Sequence, residues 1–272
     1  MSQFLILIRN KDDIPLQQRL TSRKLTNKKG IASLPKWSSG NLVRNDDEIK
    51  FINMMEMPME LMQLSSPVQY FKFFMTKEIL ESTLFQTRLY SVQCCSTKPY
   101  RGTVEDLEQF IGMSLFMSII NLPATRHYWS QCLGHPAISE VMSCNKWEEI
   151  KRFIHFNDNE TYVPAGQDGH DILHKIRPLL TKVRERLLLV PKEEYLAVDE
   201  QIIPTKSRSC IKQYNAKKPH KWGYKAFVLS GISGFSYDLE IFAGGQSNTI
   251  PVGAPDLGAS SNVVARLVDT VP

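Results

Sequence analysis

The chain has 272 residues, 42% of them hydrophobic, and its 33 Lys or Arg outnumber its 28 Asp or Glu to give a formal charge of +5. That length buries a sizeable core and accommodates two structural units. Five irregularly spaced cysteines (Cys94, Cys95, Cys132, Cys144 and Cys210) argue against a disulfide framework, and neither a signal peptide nor the ~20-residue apolar run of a membrane span is present, so a reduced intracellular protein is expected.

In chain order, residues 1–64 lack sustained periodicity. They hold the basic cluster Arg19, Arg23, Lys24, Lys28 and Lys29, the acidic Asp46-Asp47-Glu48, and a methionine-rich stretch broken by Pro58. This composition predicts a mostly disordered basic and polar region with at most one short helix. The cluster fits nuclear import or phosphate contact, and more plainly a solvated linker.

Helical signals begin at Pro67 and define a helical domain over residues 65–192. Thr76 is an N-cap for a helix carrying Ile79, Leu80, Leu84 and Phe85. Thr103 with Asp106 forms a shortened capping box ahead of Leu107, Phe110, Ile111, Leu115, Phe116, Ile119 and Ile120. The second half of that helix is apolar nearly all round, which predicts a central, buried position. Ser143 caps a helix with Trp147, Ile150, Phe153 and Ile154 inward. The stripe Ile172, Ile176, Leu179, Leu180, Val183, Leu187 and Val190 predicts one amphipathic helix ending at Pro191.

Across residues 193–272 the period changes. Leu196-Ala197-Val198 reads as a buried strand with Asp199 at its end, Tyr224–Ser230 as a second strand, and Tyr237, Leu239, Ile241 and Ala243 as a third. Asn262 caps a last helix bearing Val263, Val264, Leu267 and Val268. After Asp199 the next 26 residues hold one acid, Glu200, and seven Lys or Arg: Lys206, Arg208, Lys212, Lys217, Lys218, Lys221 and Lys225. Tyr214, Trp222 and Tyr224 lie among them. Such a tract neutralises phosphates and stacks bases, and its blander reading is a solvated hairpin face. A lone Asp at a strand end is, taken alone, more often a turn or cap than a ligand.

Several stretches resemble the piggyBac transposase family: PVQYFKFFMTKEILESTLFQTRLYS at 67–91, TVEDLEQFIGMSLFMSIINLPATRHYWS at 103–130, KWEEIKRFIHFNDNE at 146–160, HKIRPLLTKVRERL at 174–187 and YLAVDEQIIPTKSR…KQYNAKKPHKWGYKAFVLSG at 195–231. The resemblance implies an α+β chain, an all-helical dimerisation and DNA-binding domain followed by an incomplete RNase H-like domain of three strands and a helix. It implies a DDE-type two-metal mechanism with three aspartates, the first matched by Asp199 as catalytic residue and metal ligand. The chain ends at Pro272, before the strand that would carry the second aspartate, and the resemblance therefore implies an incomplete catalytic set.

Two-ion chemistry needs several carboxylates around ions ~4 Å apart, with Mg²⁺ the expected metal if the chain is active. Glu200 should face away from Asp199, Asp238 and Glu240 should lie across the sheet, and Asp256 and Asp269 follow no apolar strand. Without a further strand pairing with it, the strand bearing Asp199 should be an exposed edge. Cys132 and His135, with His127 and Cys144 nearby, lack the paired spacing of a zinc site, and no glycine-rich phosphate loop supports a nucleotide cofactor. The expected product is a domesticated, transposase-derived DNA-binding protein of the nucleus, able to pair as a homodimer through its helical domain and not bound to a membrane. The expected DNA contacts are Lys206, Arg208, Lys212, Tyr214, Lys217, Lys218, Lys221, Trp222 and Lys225. The alternatives are an active transposase or nuclease completed by a partner or a longer chain, and a truncated product without a role.

Overall fold

A computed structural model describes residues 51, 55–95, 97–247, 249–250 and 255–271. The Arg19–Lys29 cluster and the disorder expected over most of residues 1–64 lie outside them. Two compact units divide between Val190 and Pro191.

The first unit is helical. Its elements are α1 (Met59–Met62), α2 (Pro67–Phe74), α3 (Lys77–Cys94), α4 (Val104–Ile119), α5 (Pro136–Ser139), α6 (Cys144–Phe153) and α7 (Arg177–Leu188). The caps sit where the sequence places them. Thr76 accepts from the Ile79 amide at 3.4 Å, and Ser143 accepts from the Lys146 amide at 3.4 Å. Thr103 and Asp106 form a reciprocal box, in which the Thr103 amide donates to Asp106 Oδ2 at 3.0 Å and the Asp106 amide donates to Thr103 Oγ1 at 3.3 Å. These caps satisfy helix-end amides that have no partner in the helix itself.

The core joins Leu80 of α3, Leu107 and Phe110 of α4, Ile138 of α5 and Ile150 of α6, all essentially without solvent contact. His155, just beyond α6, is buried. Its ring stacks on Tyr90 at 4.0 Å, its amide donates to Thr87 Oγ1, and burial lowers its pKa.

Two expectations for this unit fail. Leu115, Ile119 and Ile120, on or beside the second half of α4, are exposed, Ile119 by 80%. Among the described residues, α3 and α6 cover one side of α4, where Leu107, Phe110, Ile111, Met113 and Met117 lie, and Leu115 and Ile119 project from the side that these two helices leave open. The Ile172–Val190 stripe is not one helix either. Its first part is turns, and α7 starts only at Arg177 with Pro178 in its first turn, where a missing N–H costs nothing. Asp171 holds that start through paired bonds from Arg177 at 2.6 and 2.7 Å.

The second unit is a four-stranded antiparallel sheet with one helix: β1 (Leu196–Pro204), β2 (Lys212–Tyr214), β3 (Trp222–Gly231), β4 (Ser236–Ile241) and α8 (Ala259–Val268). The central strand is β3. It pairs with β1 along one side, and with β2 and then β4 along the other. Three of these four strands were expected; β2 lies inside the basic tract.

Strand β1 corrects the sequence reading twice. It is half-exposed rather than buried, alternating between a sheltered face (Val198, Glu200, Ile202) and an open one (Ala197, Asp199, Gln201). It also continues to Pro204, so Asp199 sits fourth in a nine-residue strand and not at its end. Among the described strands only β3 pairs with it, which leaves β1 an edge.

Helix α8 starts at Ala259, so Asn262 lies within it rather than before it. Its buried side chain still reaches back, accepting from the Leu257 amide at 3.0 Å and donating to Asp256 Oδ1 at 2.8 Å. Gly258 takes the position expected of the cap, at φ 87°, a backbone state that favours glycine.

Glu193 anchors the β3–β4 turn. It accepts from the Ser233 amide at 3.1 Å, from the Ser233 hydroxyl, and from the Tyr237 hydroxyl at 2.9 Å. The Ser233 hydroxyl, first among these donors, holds its carboxyl below the usual range. A lowered folded pKa gives stability that is present above the unfolded pKa and is lost as pH falls through the folded one. Glu193→Ala should therefore melt below the wild type at neutral pH, with the gap narrowing in acid; thermal melts across pH check this.

Candidate nucleic-acid interface

The path from β1 through β2 to β3 builds one basic hairpin. Asn215 organises its second loop: its amide donates to the Lys221 carbonyl at 2.7 Å, its Oδ1 accepts from the Lys217 amide at 3.2 Å, and its carbonyl accepts from the Lys218 amide at 3.4 Å. Lys206, Arg208, Tyr214, Lys217, Lys221 and Trp222 emerge exposed. Lys212, Lys218 and Lys225 are half-buried.

The half-buried lysines are already engaged. Lys225 pairs with Glu200 and lies over the Phe227 ring at 4.4 Å. Lys212 donates to the Ser207 carbonyl at 3.2 Å and sits 5.6 Å from the Trp222 ring centre. Lys218 folds back to Asp199, with Nζ 3.5 Å from Oδ2. Of the nine residues expected to contact DNA, the six exposed ones are the most open to a ligand.

Asp199 faces solvent, its side chain 84% exposed, on the sheet face shared with its register partner Val228. The Glu200 amide donates to Oδ1 at 2.7 Å and, with Lys218 adding to it, holds the carboxyl below its ordinary range. A groove of about 390 Å³ runs beside it, lined by Asp199, Gln201, Lys218, His220 and Ser230.

The other acids are elsewhere. Glu200 pairs with Phe227 in register and so faces the opposite side of the sheet. Asp238 and Glu240 are on β4, across β3 from β1. Glu240 pairs with Arg266 of α8, bonding its Nε at 3.0 Å, while Asp238 is fully buried and favours the charge of Lys192, whose pKa burial lowers. Asp256 accepts from Asn262 and from the Gly258 amide.

The arrangement does not fit a two-ion centre. Among the described residues no three of His, Cys, Asp and Glu come together, and the carboxylate in question is balanced by an ammonium. His135 accepts from the Ala137 amide at 3.2 Å as the cap of α5, with its ring against Phe116, and Cys132 is exposed.

The Lys218–Asp199 pair was missed from sequence. Nineteen residues separate its partners, and only the fold of the Asn215 loop brings them together.

Residues 66–272 match the family model described as Transposase IS4. The human PiggyBac transposable element-derived protein 3 is 28% identical over 190 residues, which are 68% of this chain and 31% of that protein. The human Chimeric ERCC6-PGBD3 protein is 28% identical over 190 residues, covering 68% of this chain and 17% of its own length. Among solved structures, the cryo-EM structure of the piggyBac transposase synaptic complex with hairpin DNA superposes with a TM-score of 0.64 at 19% identity, covering 77% of this chain and 44% of that one. The chain thus spans less than a third of the length of these curated relatives.

Proposed function

Because the chain belongs to the piggyBac-type transposase family described as Transposase IS4, we propose that it is a transposase-derived, nuclear DNA-binding protein whose 272 residues do not by themselves cut or join strands. The observation carrying this reading is the β1–β3 hairpin, which presents Lys206, Arg208, Lys217 and Lys221 to solvent around exposed Tyr214 and Trp222. Exposed cations at such density attract phosphates by releasing counterions, and the affinity then falls steeply with salt.

In this reading the sheet is RNase H-like, and Asp199 corresponds to the first metal-binding aspartate of the family. Metal dependence is typical of such transposases, and Mg²⁺ would need further carboxylates that do not lie beside Asp199 among the described residues. Pairing of two copies through the helical unit is supported by the exposed Leu115 and Ile119. No helix among the described residues is long and apolar enough to cross a membrane.

The rival reading is an active transposase or nuclease in which a partner or a longer chain supplies the missing ligands; the exposure of Asp199 favours it. The two part in one experiment. The purified 272-residue chain should bind duplex DNA at low salt, and with Mg²⁺ added it should leave the duplex intact. Nicking by the wild type and not by Asp199→Asn would favour the rival.

Asp199→Asn carries its own expectation. It removes a negative charge from the phosphate path and frees Lys218, which at ~4 Å in water amounts to about 1 kcal/mol, or roughly fivefold tighter DNA binding at low salt. Fluorescence anisotropy of a labelled duplex measures it.

A further inference from the structure

Tyr214 and Trp222 face each other across the β2–β3 ladder as register partners. Their ring centroids are 4.8 Å apart with planes inclined at 49°. A cross-strand aromatic pair stabilises a hairpin by packing. That role alone does not explain why Tyr214 is 53% and Trp222 55% exposed, since large rings normally place most of their surface against the protein. The surroundings are cationic: Lys212 lies over the Trp222 ring, and exposed Lys217 and Lys221 belong to the Asn215 loop that joins the two strands. Side-chain alternation along β3 puts Trp222 on the same sheet face as Val228, and therefore as Asp199 and the groove beside it.

In a continuous duplex the flat faces of the bases are stacked on one another, and an aromatic side chain reaches them only by prising a step apart at a cost of a few kcal/mol, whereas an unpaired base offers its face freely. Lysines alone serve a duplex equally well; two open rings serve an exposed base. From this geometry we infer that Tyr214 and Trp222 form a stacking platform for an unpaired base, so that the hairpin takes single-stranded or locally unpaired DNA in preference to a continuous duplex. The platform supplies base stacking, and Lys217 and Lys221 hold the adjoining phosphates. The inference rests on the DNA-binding reading above and adds the class of DNA.

The test titrates the full chain with a short oligothymidylate strand and with a duplex of equal length at one salt concentration. The wild type should bind the single strand more tightly. Trp222→Ala and Tyr214→Ala should each weaken single-strand binding about tenfold and duplex binding far less, and Trp222→Phe should restore most of the single-strand loss. Equal losses on both DNAs, or none on the single strand, overturn the platform.

If an alanine variant fails to fold by circular dichroism, ultraviolet crosslinking of the wild type to a strand carrying 5-bromodeoxyuridine decides instead. A crosslink at Tyr214 or Trp222 supports the platform, and one confined to other residues contradicts it. Lys217→Ala with Lys221→Ala separates the two claims. If that variant weakens both DNAs while the aromatic variants spare the single strand, only the platform fails. If it changes neither DNA, the DNA-binding reading fails as well.

Discussion

Replacing Lys217, Lys218 and Lys221 together by Ala is expected to weaken duplex binding about a hundredfold near 0.1 M salt and to make the salt dependence shallower by about 2 in log–log slope. Each phosphate contact contributes roughly 0.9 to that slope, which at 0.1 M salt is about eightfold in affinity. Lys217 and Lys221 are exposed and count in full. Lys218 counts differently, since its ammonium already faces Asp199, and its loss leaves that carboxylate uncompensated near the DNA. The third substitution therefore acts mainly through repulsion, which moves affinity more than slope. Anisotropy titrations over a salt series separate the two. A variant with unchanged slope would remove this loop from the interface.

The second large effect is on stability. Phe110→Ala should cost about 3–5 kcal/mol, because the ring is wholly buried and packs 5.3 Å from Trp147. The comparison variant is Ile119→Ala on the same helix, equally apolar in sequence and 80% exposed. It should move stability by no more than about 0.5 kcal/mol. Chemical denaturation of both measures the difference. Similar losses for the two would mean that the end of α4 is covered in solution, as self-association through this face would produce, and the effect of Ile119→Ala would then depend on protein concentration.

The pattern of agreement has a physical explanation. Helix starts were legible because a cap is a local device. Thr76, Thr103 with Asp106, and Ser143 each bond an amide three residues away, so nearby residues alone fix the element. Burial was less legible, because it depends on what packs against a face. The apolar second half of α4 carried no sign that Leu115 and Ile119 would stay open.

The Ile172–Val190 periodicity overran a real boundary, where Pro178 and the Asp171–Arg177 pair begin the helix at Arg177. Strand β2 has three residues, too few for a period of two to stand out. The extension of β1 past Asp199 was hidden by Glu200 and Gln201, which look like a loop and are in fact successive positions on opposite faces of an edge strand. For the site, the residue types were readable and their partnerships were not. Lys218 and Lys225 read as free phosphate contacts, and both hold carboxylates of β1.

The most direct test of the central claim is hydrogen–deuterium exchange on the wild-type chain with and without DNA. DNA should slow exchange in the segment from Lys206 to Trp222, with the amides around Asn215 most affected. Protection confined to the helical unit, with that segment exchanging as it does in the free protein, would contradict that claim.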